Sequence, residues 1–230
     1  MRVQTTKDVL EEKDIADILL NHEQHFLPRV EKLKRYYAGE HDILKKEQRA
    51  DSAPNNMIVA NYCEYIANMS TGFFMGQPVA YSSISGDADA VRALQDVFRY
   101  NDEAECNLRL AGEAGITGAA YEVLYLDADA AIRFCPLPSE QMILVVDTTL
   151  EETIVAAIRR YRVYGLDGVS YHDYVEVYDA QCVTGYDYSG GILTRGTEAV
   201  PHYLVRTTST AYPSSSIRTT RRGAGTLRAS

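Results

Sequence analysis

The sequence of 230 residues contains no tryptophan and only four cysteines. Cys63, Cys106, Cys135 and Cys182 are far apart and do not form the C-x-x-C spacing typical of zinc and redox sites. We therefore interpret them as buried thiols in a reducing compartment. The first ten residues lack the apolar segment of a signal peptide, and no apolar run approaches the length of a membrane span. These absences predict a soluble protein made in the cytoplasm.

The sequence motifs of nucleotide binding and nucleophilic catalysis are also lacking. No G-x-x-x-x-G-K-[ST], G-x-G-x-x-G or G-x-S-x-G string occurs. His22 and His25, three residues apart on a predicted helix, could share a face and bind a metal, but further ligands at suitable spacing are not evident. Acidic pairs such as Asp127 and Asp129 lie at predicted turns, where carboxylates are normally solvated. We expect no catalytic residue, no cofactor and no metal.

Charge is distributed unevenly along the chain. Residues 204–230 contain five arginines and no acid, so the first 203 residues carry 18 Lys and Arg against 32 Asp and Glu, a net charge of −14. An acidic body of this kind lacks the basic surface with which proteins bind nucleic acid. It could still surround DNA as a wall to which the DNA does not adhere, because like charges repel.

The hydrophobic periodicity predicts helices first and strands afterwards. A helical pattern over 7–34 has Thr5 or Thr6 as its cap and is divided into two helices by Pro28. The second helix is expected to end at Gly39, which can adopt the left-handed conformation. Asn61 is expected to cap a third helix, and two more follow over 87–100 and 102–115, with Gly118 ending the last one close to the first strand of the sheet. The predicted strands are 79–82, 121–126, 131–135, 142–146, 154–163 and 171–178. The expected fold class is α+β, with N-terminal helices followed by an antiparallel β-meander.

Four short motifs follow one another between residues 33 and 125. The first is LKRYYAGEHDI, which contains Tyr36, Tyr37, Gly39 and His41. The second is Pro54-Asn55-Asn56, followed by VANY with Asn61. The third is GFFMGQPVAY, which contains Gly72, Gly76, Pro78 and Tyr81. The fourth is GAAYEVLY, which contains Gly118, Tyr121 and Glu122.

These four motifs, in this order, resemble the portal proteins of long-tailed bacteriophages. The resemblance implies a subunit of a homo-oligomeric ring, usually dodecameric in the family, at one vertex of the capsid in the virion. Double-stranded DNA passes through such rings without sequence-specific binding, and their partners include the terminase large subunit, scaffold, capsid and head-completion proteins. The implied domains are a helical part of the portal wing (1–117), a β-rich part of the wing (118–203) and a disordered tail (204–230). The motif residues are expected to have structural roles.

The C-terminal segment prompts a separate expectation. With permitted codons, residues 216–228 read one base earlier spell EYPNNEERRGDFE, which resembles the portal segment that follows the β-region. We therefore expect a frameshift after Tyr203 and a truncated form of the protein, a monomer or heterogeneous oligomer without the family's stem, clip and crown. Two alternatives stay open: another phage head-morphogenesis protein that shares the wing fold, and an acidic metal-dependent hydrolase.

Overall fold

The computed structural model describes residues 1–47, 56–127 and 129–196, together with the backbone of 200–201 and 217–221. The helices are α1 (Glu12–Asn21), α2 (Leu27–Tyr37), α3 (Tyr62–Met75), α4 (Ala88–Tyr100) and α5 (Glu103–Thr117). The strands are β1 (Arg2–Gln4), β2 (Ala119–Leu126), β3 (Ile132–Leu137), β4 (Met142–Val146), β5 (Ile154–Tyr164), β6 (Tyr171–Tyr178), β7 (Cys182–Ser189), β8 (Ile192–Arg195), β9 (Val200–Pro201) and β10 (Ile217–Arg221). This element order confirms the predicted α+β class.

The larger sheet has the order β1-β4-β5-β6-β7-β8, and β9 pairs with β7. Strands β4 to β8 form the predicted antiparallel meander, whereas β1 lies parallel to β4. A second sheet has the order β10-β2-β3. One face of the meander is covered by α1, because Ile15 and Leu19 pack against Ile143, Ile158 and other strand residues. Burial of these apolar side chains is the main stabilising contribution to this part of the fold.

The described chain forms two compact units. The first comprises residues 1–27 with 121–127 and 129–196, and the second comprises residues 28–47 and 56–120. The helical N-terminus thus belongs with the strands, because β1 pairs with β4 and α1 packs on the sheet. The predicted boundary at 117/118 coincides with the change from α5 to β2. The division into two parts of a wing stays a prediction, and the predicted disorder of 204–230 lies outside the described residues apart from the backbone of β10.

Pro28 lies at the second position of α2, as predicted from its fit near a helix start, but the two helices are joined by a helical turn and not by a loop. Helix α1 continues through a π-helical turn, His22–Phe26, directly into α2. In this turn the Leu27 amide donates to the carbonyl of His22, five residues earlier. A widened turn of this kind accommodates proline, because proline has no amide hydrogen and its ring crowds the carbonyl four residues before it. Pro28 therefore lies in the first turn of α2.

Three other predictions need correction. The cap of α1 is Glu11, whose amide donates to the Asp14 carboxylate, whereas the Thr5 hydroxyl accepts from the Lys7 amide in the preceding turn. Residues 79–82 form no strand among the described residues, because no strand pairs with them. The cysteines are not uniformly buried: Cys106 is buried and Cys182 is half-buried, but Cys63 and Cys135 are exposed on α3 and β3. None of the described helices is long and apolar enough to cross a membrane.

Candidate functional site

The first motif forms the end of α2. The amide of Gly39 donates to the carbonyl of Tyr36, and the amide of Glu40 donates to that of Arg35. These two bonds define a Schellman motif, in which the residue after the helix adopts a left-handed conformation. Gly39 has φ +83°, a backbone region in which a side chain would be strained. The sequence prediction that Gly39 ends this helix is confirmed.

Asn61 joins the first motif to the second. Its side-chain oxygen accepts from the Glu64 amide at 3.4 Å, which caps α3 as predicted. Its side-chain nitrogen donates to the Tyr37 carbonyl at 2.9 Å, satisfying one of the carbonyls left unpaired at the end of α2. The His41 ring nitrogen lies 3.4 Å from the Asn61 side-chain oxygen. A single amide side chain therefore connects the end of one helix to the start of the next.

Two tyrosines strengthen the same junction. The Tyr36 hydroxyl donates to Asp42 at 2.7 Å, and the Tyr36 ring packs against His41 with centroids 4.8 Å apart. Hydrogen bonds from Tyr36 and from Arg35 lower the pKa of the Asp42 carboxyl below its ordinary value. The Tyr37 hydroxyl donates to the Asn68 side chain on α3 at 2.8 Å. The residues of the first two motifs thus bond to one another across the α2–α3 connection.

The third motif forms the exit of α3. A Cβ atom on Gly76 would overlap the carbonyl oxygen of Gly72, so glycine is required at this position. The Tyr81 hydroxyl donates to Glu103 at 2.5 Å, and its ring packs 4.7 Å from that of Phe98 on α4. Gly76 and Pro78 line an open cavity of about 340 Å³ with residues of α5. Tyr81 therefore connects the chain after α3 to helices α4 and α5.

The fourth motif forms the turn from α5 into β2. Gly118 ends the helix with φ +88°, and its amide donates to the Ala114 carbonyl at 3.0 Å. Tyr121 and Glu122 follow on β2 and are both buried. The Tyr121 hydroxyl accepts from the N-terminal amine at 3.0 Å. The left-handed glycine is required because the helix changes directly into a strand.

Some predicted residues are not brought into these junctions. Asn56 is exposed, Gly72 has open space beside its Cα, and Asn55 lies outside the described residues. His22 is buried whereas His25 is exposed, so the two histidines do not share a face. In the described part of the chain, no group of three or more His, Cys, Asp or Glu residues could hold a metal.

A charged cluster on the sheet was not predicted from the sequence. Arg160 lies 2.9 Å from Asp173 and 3.2 Å from Glu23, and Arg162 lies 2.6 Å from Asp173. Hydrogen bonds from Arg162 and then Arg160 lower the pKa of the Asp173 carboxyl. Arg162 and Asp173 face each other across β5 and β6. Opposite charges at facing positions of neighbouring strands could have predicted this cluster. The strand register, which shows that these positions face each other, is not apparent from the sequence.

The geometry of the motif residues defines a class of protein. Their glycines, amides and tyrosines end helices, cap helices and join elements, so these residues hold the fold together. The class that the fold defines is therefore that of mixed α+β proteins with an antiparallel meander.

Comparison with known proteins gives the particular family. Residues 16–207 match the family of phage portal proteins described as SPP1 Gp6-like, and the chain belongs to this family. Portal proteins are structural components of the phage capsid that serve DNA packaging. No curated protein matches the chain. The four sequence motifs therefore identified the family correctly.

Proposed function

We propose that this chain is a subunit of the ring at the portal vertex of a phage capsid. In this role the ring admits double-stranded DNA during packaging, releases it during ejection and connects the head to the tail. The family match over residues 16–207 is the observation that carries the proposal. The motif residues support it, because they fix the connections of α2, α3 and α5.

The electrostatics of the chain support a passive relation to DNA. The first 203 residues have a net charge of −14, and DNA carries about one negative charge per 1.7 Å of its axis. A ring built from such subunits repels the phosphate backbone and does not hold it. Passage without sequence-specific binding is the behaviour that this charge favours. The terminase large subunit, scaffold, capsid and head-completion proteins are the expected partners.

The location of the protein in the particle tests the proposal. The chain is detected with gold-labelled antibodies on purified particles from the phage or prophage that encodes it. The proposal predicts label at one vertex of each capsid. Label spread over the shell, or no label on particles that contain all the other structural proteins, would contradict it. The frameshift proposed after Tyr203 is tested separately by sequencing the gene through that codon.

A further inference from the structure

Helix α3 carries five large apolar side chains on a face that no described residue covers. Tyr62, Tyr65, Ile66, Met69 and Phe73 have between 55% and 95% of their surface exposed. At 100° per residue, these positions fall within an arc of about 100°. We call these five residues the α3 face.

The opposite side of α3 makes the helix's packing contacts. Ala67 is the buried residue of this helix. A Cβ added to Gly115 of α5 would lie 3.7 Å from the Thr71 side chain and 4.0 Å from the Ala67 carbonyl. Ala67 and Thr71 therefore face α5, about half a turn away from the α3 face. An ordinary surface helix buries its apolar side and exposes its polar side. In α3 the packed side consists of small residues, and the large apolar side chains are exposed.

The exposed area is large enough for a stable protein contact. An aromatic side chain buries about 150–250 Å², so five large side chains at these exposures present roughly 700 Å². Apolar patches on monomeric proteins seldom exceed about 600 Å², and each partner in a standard interface contributes about 800 Å². The α3 face alone therefore supplies most of the area that one side of such an interface needs.

The chemistry of the face indicates the class of its partner. The only charged residue of α3 is Glu64, which lies outside the arc, and the helix has no Lys or Arg. DNA binding and helices that lie on membranes both rely on basic residues, so neither fits. Tyr, Phe and Met without charge are the residues enriched at the core of protein interfaces.

We propose that the α3 face is a contact between neighbouring copies of this chain. The proposal rests on the proposed function, because every subunit of a ring must bind a copy on each side through two different surfaces. An interface made by an uncharged apolar face is stabilised mainly by the removal of that face from water. The contact is therefore insensitive to salt and sensitive to a charge placed at its centre.

Association of the purified chain, measured by sedimentation velocity over a range of concentrations, tests the contact. The double variant Ile66→Glu/Phe73→Glu places two carboxylates in the α3 face. The control, Leu166→Glu, changes a fully exposed apolar residue in the turn between β5 and β6. We expect wild type and control to associate alike and the double variant to associate at least tenfold more weakly. Equal association of the double variant, or a wild type that stays monomeric at every concentration, would overturn the proposal.

The native cysteines give a second readout that does not depend on the variants' folding. Cys63 is exposed on α3 next to the face, and Cys135 is exposed on β3. Maleimide labelling of each cysteine is followed by peptide mass spectrometry as the protein concentration rises. We expect Cys63 to become protected while Cys135 stays reactive. Cys63 that remains as reactive as Cys135 in the associated protein, or that is already protected in the monomer by the chain itself, contradicts the proposal.

The two proposals fail in different ways. If the gold label marks one vertex of the capsid but the double variant associates normally, the assignment of the α3 face is wrong and the portal function stands. If the double variant loses association but the protein is absent from phage particles, the contact between copies is real and the proposed function is wrong.

Discussion

Replacement of Asn61 by alanine is expected to destabilise the unit that contains α2 to α5. The expected loss is large for a residue that is only half-buried. The variant loses the cap of α3, which contributes about 1 kcal/mol in typical proteins. It also leaves the Tyr37 carbonyl without its 2.9 Å hydrogen bond, which costs about another 1 kcal/mol. The expected loss is therefore about 2 kcal/mol in the free energy of unfolding, measured by urea denaturation followed by circular dichroism.

Two further variants separate these contributions. Asn61→Asp keeps an oxygen that accepts from the Glu64 amide but has no donor for the Tyr37 carbonyl or for the Glu64 carboxylate, so its stability should lie between those of wild type and alanine. Asn56→Ala is the matched control, because Asn56 belongs to the same motif but is exposed in the loop before α3. Its expected change is below about 0.5 kcal/mol. Equal unfolding midpoints for Asn61→Ala and Asn56→Ala would refute the proposed role of Asn61, which is to connect the end of α2 to the start of α3.

Three other predictions concern buried and strained positions. Burial lowers the pKa of His22 to about 4, with Arg160 adding to the shift. The neutral form is favoured in the folded state, so stability is lost as the pH falls from about 6.5 towards 4. Wild type should lose about 3 kcal/mol between pH 7 and pH 4 that His22→Leu does not lose, and parallel pH profiles would contradict this. Gly76→Ala should lower the melting temperature, because its Cβ overlaps a backbone oxygen, whereas Gly72→Ala should raise it slightly; similar melting temperatures would argue against the overlap. Asp173→Asn should cost about 2 kcal/mol, because it leaves two arginines without their shared carboxylate, and an equal effect of removing an exposed carboxylate elsewhere would count against this.

The sequence predicted the elements of the fold well where the periodicity was long. The bounds of β4 and β6 agree residue for residue, α3 begins directly after the predicted cap Asn61, and α4 begins one residue after the predicted start at Asp87. Strand β1 was missed because three residues cannot show a period. Strand β7 was missed although Thr184, Tyr186 and Tyr188 alternate inward, because polar residues and a glycine interrupt the apolar pattern.

The functional roles of the motif residues were predictable only in part. Gly39 and Gly118 were recognised as helix ends, since a glycine after an apolar period is a local signal. The second bond of Asn61 could not be predicted, because its partner Tyr37 is 24 residues away and the turn between them has no regular period. The α3 face was not predicted from the sequence, because which side of α3 is packed depends on α5 and therefore on tertiary structure.

The proposed function requires this protein at the capsid vertex for DNA to enter the head. The most direct measurement uses the phage that encodes it, with a stop codon placed early in this gene, and quantifies the DNA inside the capsids made during infection. We expect capsids that assemble without packaged DNA and a recovery of packaging when the intact gene is supplied in trans. Capsids that fill with DNA at the normal level in the absence of this protein would contradict it.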